Sequence, residues 1–124
     1  MKRTILFVAA VLLAHPALAN AVSDARGVWL RNDGNARVMI APCGDKLCAT
    51  NLWIGDTSGG EAVGDRLIMT LKPVSDSKLS GTAYDPKRGL TYSMTMQVSA
   101  NKLTTRGCVV GGLLCKNVNW TPAD

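Results

Sequence analysis

The chain has 124 residues, with fourteen lysines and arginines against nine aspartates and glutamates, one histidine and a formal net charge of +5. That length holds one domain and not two. A positive balance this mild, with no basic run and no aromatic-interleaved basic stripe, excludes the usual signature of a nucleic-acid binder.

The chain opens with Lys2 and Arg3, an apolar stretch from Thr4 to Leu13, and the small-residue site Ala17-Leu18-Ala19. This order reads as an export signal, residues 1–19, cleaved before Asn20. The only histidine, His15, and the only phenylalanine, Phe7, leave with it. The mature chain, residues 20–124, is then a single domain of 105 residues that lacks imidazole. Without imidazole the usual general base, the usual catalytic triads and the commonest metal ligand are excluded, and a non-enzyme is expected. No cysteine follows the cleavage site, so no lipid anchor is expected. No mature segment reaches the ~18 apolar residues that suggest a transmembrane helix. A bacterial periplasmic or secreted protein is the expectation, with Asn20 to Asp24 left without ordered structure.

From there on, helical periodicity gives way to short runs of period-two alternation. Predicted strands follow in order: Gly27 to Arg31, Ala36 to Ala41, Leu47 to Ile54, Arg66 to Leu71, Lys78 to Tyr84, Tyr92 to Val98, Lys102 to Cys108 and Cys115 to Thr121. The clearest is the sixth, where Tyr92, Met94, Met96 and Val98 alternate with Ser93, Thr95 and Gln97. Turn chemistry separates the strands, as in Asn32-Asp33-Gly34-Asn35 and Asp85-Pro86-Lys87-Arg88-Gly89. One longer connection, Gly55 to Asp65, is rich in glycine and acid and reads as a mouth loop or short helix. Eight strands with short turns predict an all-β, up-and-down antiparallel barrel, which leaves no exposed edge. A small two-sheet sandwich is the alternative. Alternation alone leaves open which face is interior.

Four cysteines in an exported chain read as two disulfides. Three pairings are formally possible; Cys43 with Cys48 and Cys108 with Cys115 is favoured, because each pair flanks a turn-rich segment between neighbouring strands. The spacings C-x4-C and C-x6-C are not the tight zinc knuckle, and no redox C-x-x-C is present. No metal and no other cofactor is expected. Asp56, Glu61 and Asp65 in the long loop, and Asp85 before Pro86, are read as turn and solubility residues in preference to catalytic carboxylates. Ser77, Lys78 and Ser80 are read as solvated side chains in preference to a serine–lysine nucleophile.

Gly27-Val28-Trp29-Leu30, then ARVMIAPCGDKLCATNLWI, LIMTLKP, GTAYDPKRGLTYS and LTTRGCVVGGLLCKNVNW, resemble the bacterial DUF2147 family of exported proteins of unknown function. The resemblance spans Gly27 to about Thr121 and implies a small lipocalin-like barrel, with no established activity to carry over. Gly27-Val28-Trp29 is also similar to the G-x-W of lipocalins and other calycins. That likeness implies Trp29 inside the barrel and a cation from a late strand, Arg106 or Lys116, packed on its ring.

A ligand site is therefore expected in the interior, at Trp29, Met39, Trp53, Met69, Tyr92, Met94, Met96 and Arg106. Methionine suits an adaptable apolar pocket, and tyrosine and tryptophan add flat walls with a polar tip. Arg106, Lys116 or Lys72 would meet an acidic head group. A wholly packed barrel interior is the other possibility. The expected partners are a small hydrophobic or amphipathic ligand or, alternatively, an envelope protein bound through the Gly55 to Asp65 loop.

Overall fold

A computed structural model of the chain describes residues 18–109 and 111–123. The export-signal expectation falls on residues 1–17, outside the described residues, and on the first two residues of a helix, α1 (Leu18–Ala25). Eight strands follow: β1 (Gly27–Arg31), β2 (Ala36–Cys43), β3 (Lys46–Ile54), β4 (Arg66–Ser75), β5 (Lys78–Asp85), β6 (Leu90–Ser99), β7 (Lys102–Val109) and β8 (Leu114–Pro122). Each pairs antiparallel with the next, and β1 pairs with β8 through Trp29–Pro122, Leu30–Thr121 and Arg31–Trp120. The sheet closes into a barrel, so every strand has two neighbours and no edge is left for another chain to extend.

Closure selects the inner face. On β2 it buries Ala36, Val38 and Ile40, and on β6 it buries Met94, Met96 and Val98. On β3 the inner positions are Leu47, Ala49 and Asn51, and then, after a bulge at Leu52, Ile54. The extra residue resets the phase, so that Trp53 points outward. β4 runs on through Pro73 to Ser75, past the Leu71 end expected for this strand. β3 accompanies β4 only from Arg66 to Met69, so Pro73 lies where the missing N–H disrupts no second ladder.

The stretch from Asn20 to Asp24, expected to lack order, is helical. Ala21 and Ala25, one turn apart, are fully buried and pack with Leu79, Met96 and Val98. The Trp29 indole Nε1 donates to the Ala25 carbonyl at 2.9 Å, satisfying one of the carbonyls a helix end leaves free. A helix of eight residues does not hold alone in water; this one is held by the barrel end it covers.

The chain enters β1 from α1, so α1 shares one end of the barrel with the β2–β3, β4–β5 and β6–β7 turns. The opposite end carries the β1–β2, β5–β6 and β7–β8 turns and the long β3–β4 loop. Disulfides Cys43–Cys48 and Cys108–Cys115 join β2 to β3 and β7 to β8, the expected pairing. Closing loops of this size contributes about 2–2.5 kcal/mol each on the chain-entropy account.

Candidate functional site

The barrel is plugged at one end and hollow at the other. A cavity of about 360 Å³ opens between the β3–β4 loop and the β7–β8 hairpin. Its walls are apolar where Trp29, Ile40, Met69, Met94, Met96 and Leu103 face inward. Thr105, a polar inward residue beside them, is only 8% exposed; its oxygen accepts from the Trp120 indole Nε1 at 3.1 Å.

The rim is charged and ordered. Arg31, on the same face of β1 as Trp29, makes a two-pronged bond to Glu61, with Nη2 to Oε1 at 2.9 Å, and its Nε reaches Asp33 at 3.0 Å. Lys87 bonds Asp65 at 3.1 Å and the Gly60 carbonyl at 3.1 Å. Arg88 bonds the buried Asp85 carboxylate at 2.9 Å and the Gly60 carbonyl at 3.2 Å. Asn35 donates to the Asp56 carbonyl and accepts from its amide, while Asn51 donates to the Ala62 carbonyl. The long loop thus contains no helix and is tied to β1, β3 and two turns.

These bonds set the protonation of the rim. The Arg31 guanidinium holds the Glu61 and Asp33 carboxyls below the ordinary carboxylate range, and Glu61 in turn holds Arg31 above its ordinary value. Lys87 lowers Asp65, and the Ser58 amide lowers Asp56. Because Glu61 and Asp33 have lower pKa values folded than unfolded, their contribution is complete above about pH 4.3. It is lost as pH falls through the folded values. Neutral-pH loop order is therefore expected to persist to about pH 5 and to fail below the ordinary carboxylate range. Arg31→Ala is expected to cost about 1–2 kcal/mol at neutral pH and to speed amide exchange across residues 55–65. Hydrogen-exchange mass spectrometry checks both. Unchanged loop exchange in the variant would rule out the clamp.

Of the residues expected around a ligand, Trp29, Met69, Tyr92, Met94 and Met96 line this cavity. Three others lie elsewhere. Met39 alternates outward on β2 and is 38% exposed; Trp53, turned out by the β3 bulge, is 47% exposed and lies over Gly55. Arg106 faces outward on β7 and bonds Asn117 at 3.0 Å. It does not stack on Trp29, whose polar atom is taken by Ala25. Lys72 is also exposed and sits on the half of β4 away from the mouth. Sequence reasoning passed over Arg31, Asn51, Asp85, Arg88, Thr105 and Trp120 as site residues. Period-two counting from Trp29 reaches Arg31, and counting from Met96 across the sheet reaches Thr105. The ion pairs across the rim had no local signal. Among the described residues, no group of three or more His, Cys, Asp or Glu is placed to hold a metal.

A closed eight-stranded antiparallel barrel, capped by a helix at one end and open through a charged rim at the other, is the class of protein this geometry defines. The chain belongs to the DUF2147 family, uncharacterized proteins conserved in bacteria, whose family model matches residues 27–122. Among solved structures it is similar to a redesigned beta barrel, with a TM-score of 0.54 and 10% identity over 85% of this chain and 96% of that one. That likeness is one of fold alone. No curated protein matches the sequence. The two disulfides are consistent with an extracytoplasmic protein, and no described helix is long and apolar enough to cross a membrane.

Proposed function

We propose that the protein is a non-catalytic carrier or sensor, periplasmic or secreted, that takes a small amphipathic molecule into the barrel. The observation that carries this reading is the cavity: about 360 Å³, apolar in its depth and polar at one mouth. A volume above ~300 Å³ falls in the range of small-molecule pockets, and methionine walls adapt to an apolar guest. At about 25 cal/mol per Å² of apolar surface removed from water, burial of an alkyl chain is the main source of affinity. The competing reading, an envelope partner gripped by the β3–β4 loop, draws support only from the exposed Val63. The loop is bonded down on the rim, with its polar groups turned to β1, β3 and the β5–β6 turn.

The test is mass spectrometry of an organic extract from protein purified out of the periplasm, beside an unrelated exported barrel. A stoichiometric small molecule specific to this protein is expected. An extract indistinguishable from the control, together with no uptake of apolar fluorescent probes, would overturn the carrier reading.

A further inference from the structure

The three rim carboxylates that line the cavity are each bonded to a cation, Glu61 to Arg31, Asp65 to Lys87 and Asp85 to Arg88, and Arg31 is shared with Asp33. Lys116 and Arg66 also line it, and neither makes an ion pair or side-chain hydrogen bond among the described residues. Asp33, the acid whose charge Lys116 touches weakly, is held by Arg31. Lys116 and Arg66 are therefore the cavity-lining cations without a direct anionic partner among the described residues.

Lys116 has surroundings that Arg66 lacks. It belongs to an inward cross-strand row, Met94–Gly107–Lys116, on β6, β7 and β8. A Cβ built on Gly107 meets nothing within 4 Å, so the floor between Met94 and Lys116 is bare backbone facing open space. Tyr92, two residues mouthward of Met94, lines the cavity, and its hydroxyl makes no hydrogen bond among the described residues. The Thr105 oxygen accepts from Trp120, and its hydroxyl hydrogen has no protein acceptor among the described residues. A shallow depression beside the β7–β8 hairpin shares Tyr92, Gly107 and Lys116 with the cavity lining. Lys116 and Tyr92 thus line the wall on the mouth side of the methionines, with the Thr105 hydroxyl one row deeper, across from Met96.

We propose that the guest is a single-chain monoanionic amphiphile, an alkyl carboxylate of about a dozen heavy atoms, with its head on Lys116 and Tyr92 and its tail against Trp29, Met69 and Met96. This rests on the carrier reading above and adds the charge, polarity and orientation of the guest. The length follows from the volume, since about 30 Å³ per water-sized group fills 360 Å³ with roughly a dozen groups. The head belongs at the mouth because an ionised carboxylate cannot be buried among methionines without a partner. A cation at the mouth supplies one at the smallest desolvation cost, since Lys116 is exposed.

The test measures binding of decanoate, decanol and decyltrimethylammonium to the mature, disulfide-bonded protein by calorimetry, and repeats it with Lys116→Met and Arg66→Gln. Lys116 is exposed, so its replacement leaves the fold intact. Decanoate is expected to bind best. Lys116→Met should weaken it about tenfold while leaving decanol within twofold, and Arg66→Gln should change the decanoate-to-decanol ratio less than Lys116→Met. Equal binding of decanoate and decanol by the wild type, or a Lys116→Met loss shared by both, would overturn the head-group assignment and leave the carrier reading standing. Failure of all three probes to bind would overturn both.

Discussion

Replacing Gly81 by alanine should lower stability by about 3 kcal/mol or more, although alanine is ordinarily the better residue in a strand interior. A Cβ at Gly81 would lie 1.9 Å from the Thr70 carbonyl oxygen and 3.1 Å from the Leu71 Cα. Those are backbone atoms of β4, which cannot swing aside as a side chain does. β4 and β5 would have to separate where Gly81 pairs with Leu71, and forced backbone shifts cost about 1–3 kcal/mol or more. The alanine gain, about 0.4–1 kcal/mol from restricting the unfolded chain, is too small to offset that. For a domain of this size the midpoint of thermal unfolding should fall by more than about 10 °C. Gly107→Ala is the control. Its Cβ enters open space on an ordinary extended backbone, so its midpoint should stay level or rise. Equal effects at the two glycines would refute the close approach of β4 and β5.

A second large effect is expected on uptake. Gly107→Phe places a ring in the open space between Met94 and Lys116, without displacing any buried side chain. Apolar probe binding should fall by at least about a hundredfold, since a ring of that size competes directly with the guest's apolar burial. Circular dichroism and the unfolding midpoint should remain near those of the wild type. Met94→Trp and Met96→Trp fill the same space from below, at a greater cost because Met94 and Met96 are themselves buried. If Gly107→Phe folded normally and took up probe as well as the wild type, the cavity would not be the binding site.

The barrel was legible because period-two alternation and turn residues are local signals. Tyr92-x-Met94-x-Met96-x-Val98 declares one apolar face wherever the strand ends up, and the cysteine spacings declare two short hairpin staples. Other features had no such signal. The inward or outward sense of a strand is decided by the neighbours across closure, so Met39 and Met69, alike in sequence, separate to opposite faces. A single extra residue at Leu52 reverses the phase of Trp53, because the side-chain repeat is two and one residue is half of it. Arg106 was the preferred cation and Lys116 the alternative, until the β7–β8 register turned Arg106 out and Lys116 in.

By itself, then, the sequence determined the strand count, the meander order, the disulfide pairs and the family, all of which depend on residues close together in the chain. Tertiary structure decided the rest: the inner face, the helical plug at Ala21 and Ala25, the Arg31–Glu61 clamp across thirty positions, and the unanswered Lys116 at the mouth. These depend on distances through space between segments whose sequences carry no record of one another. Only closure of the barrel brings them together.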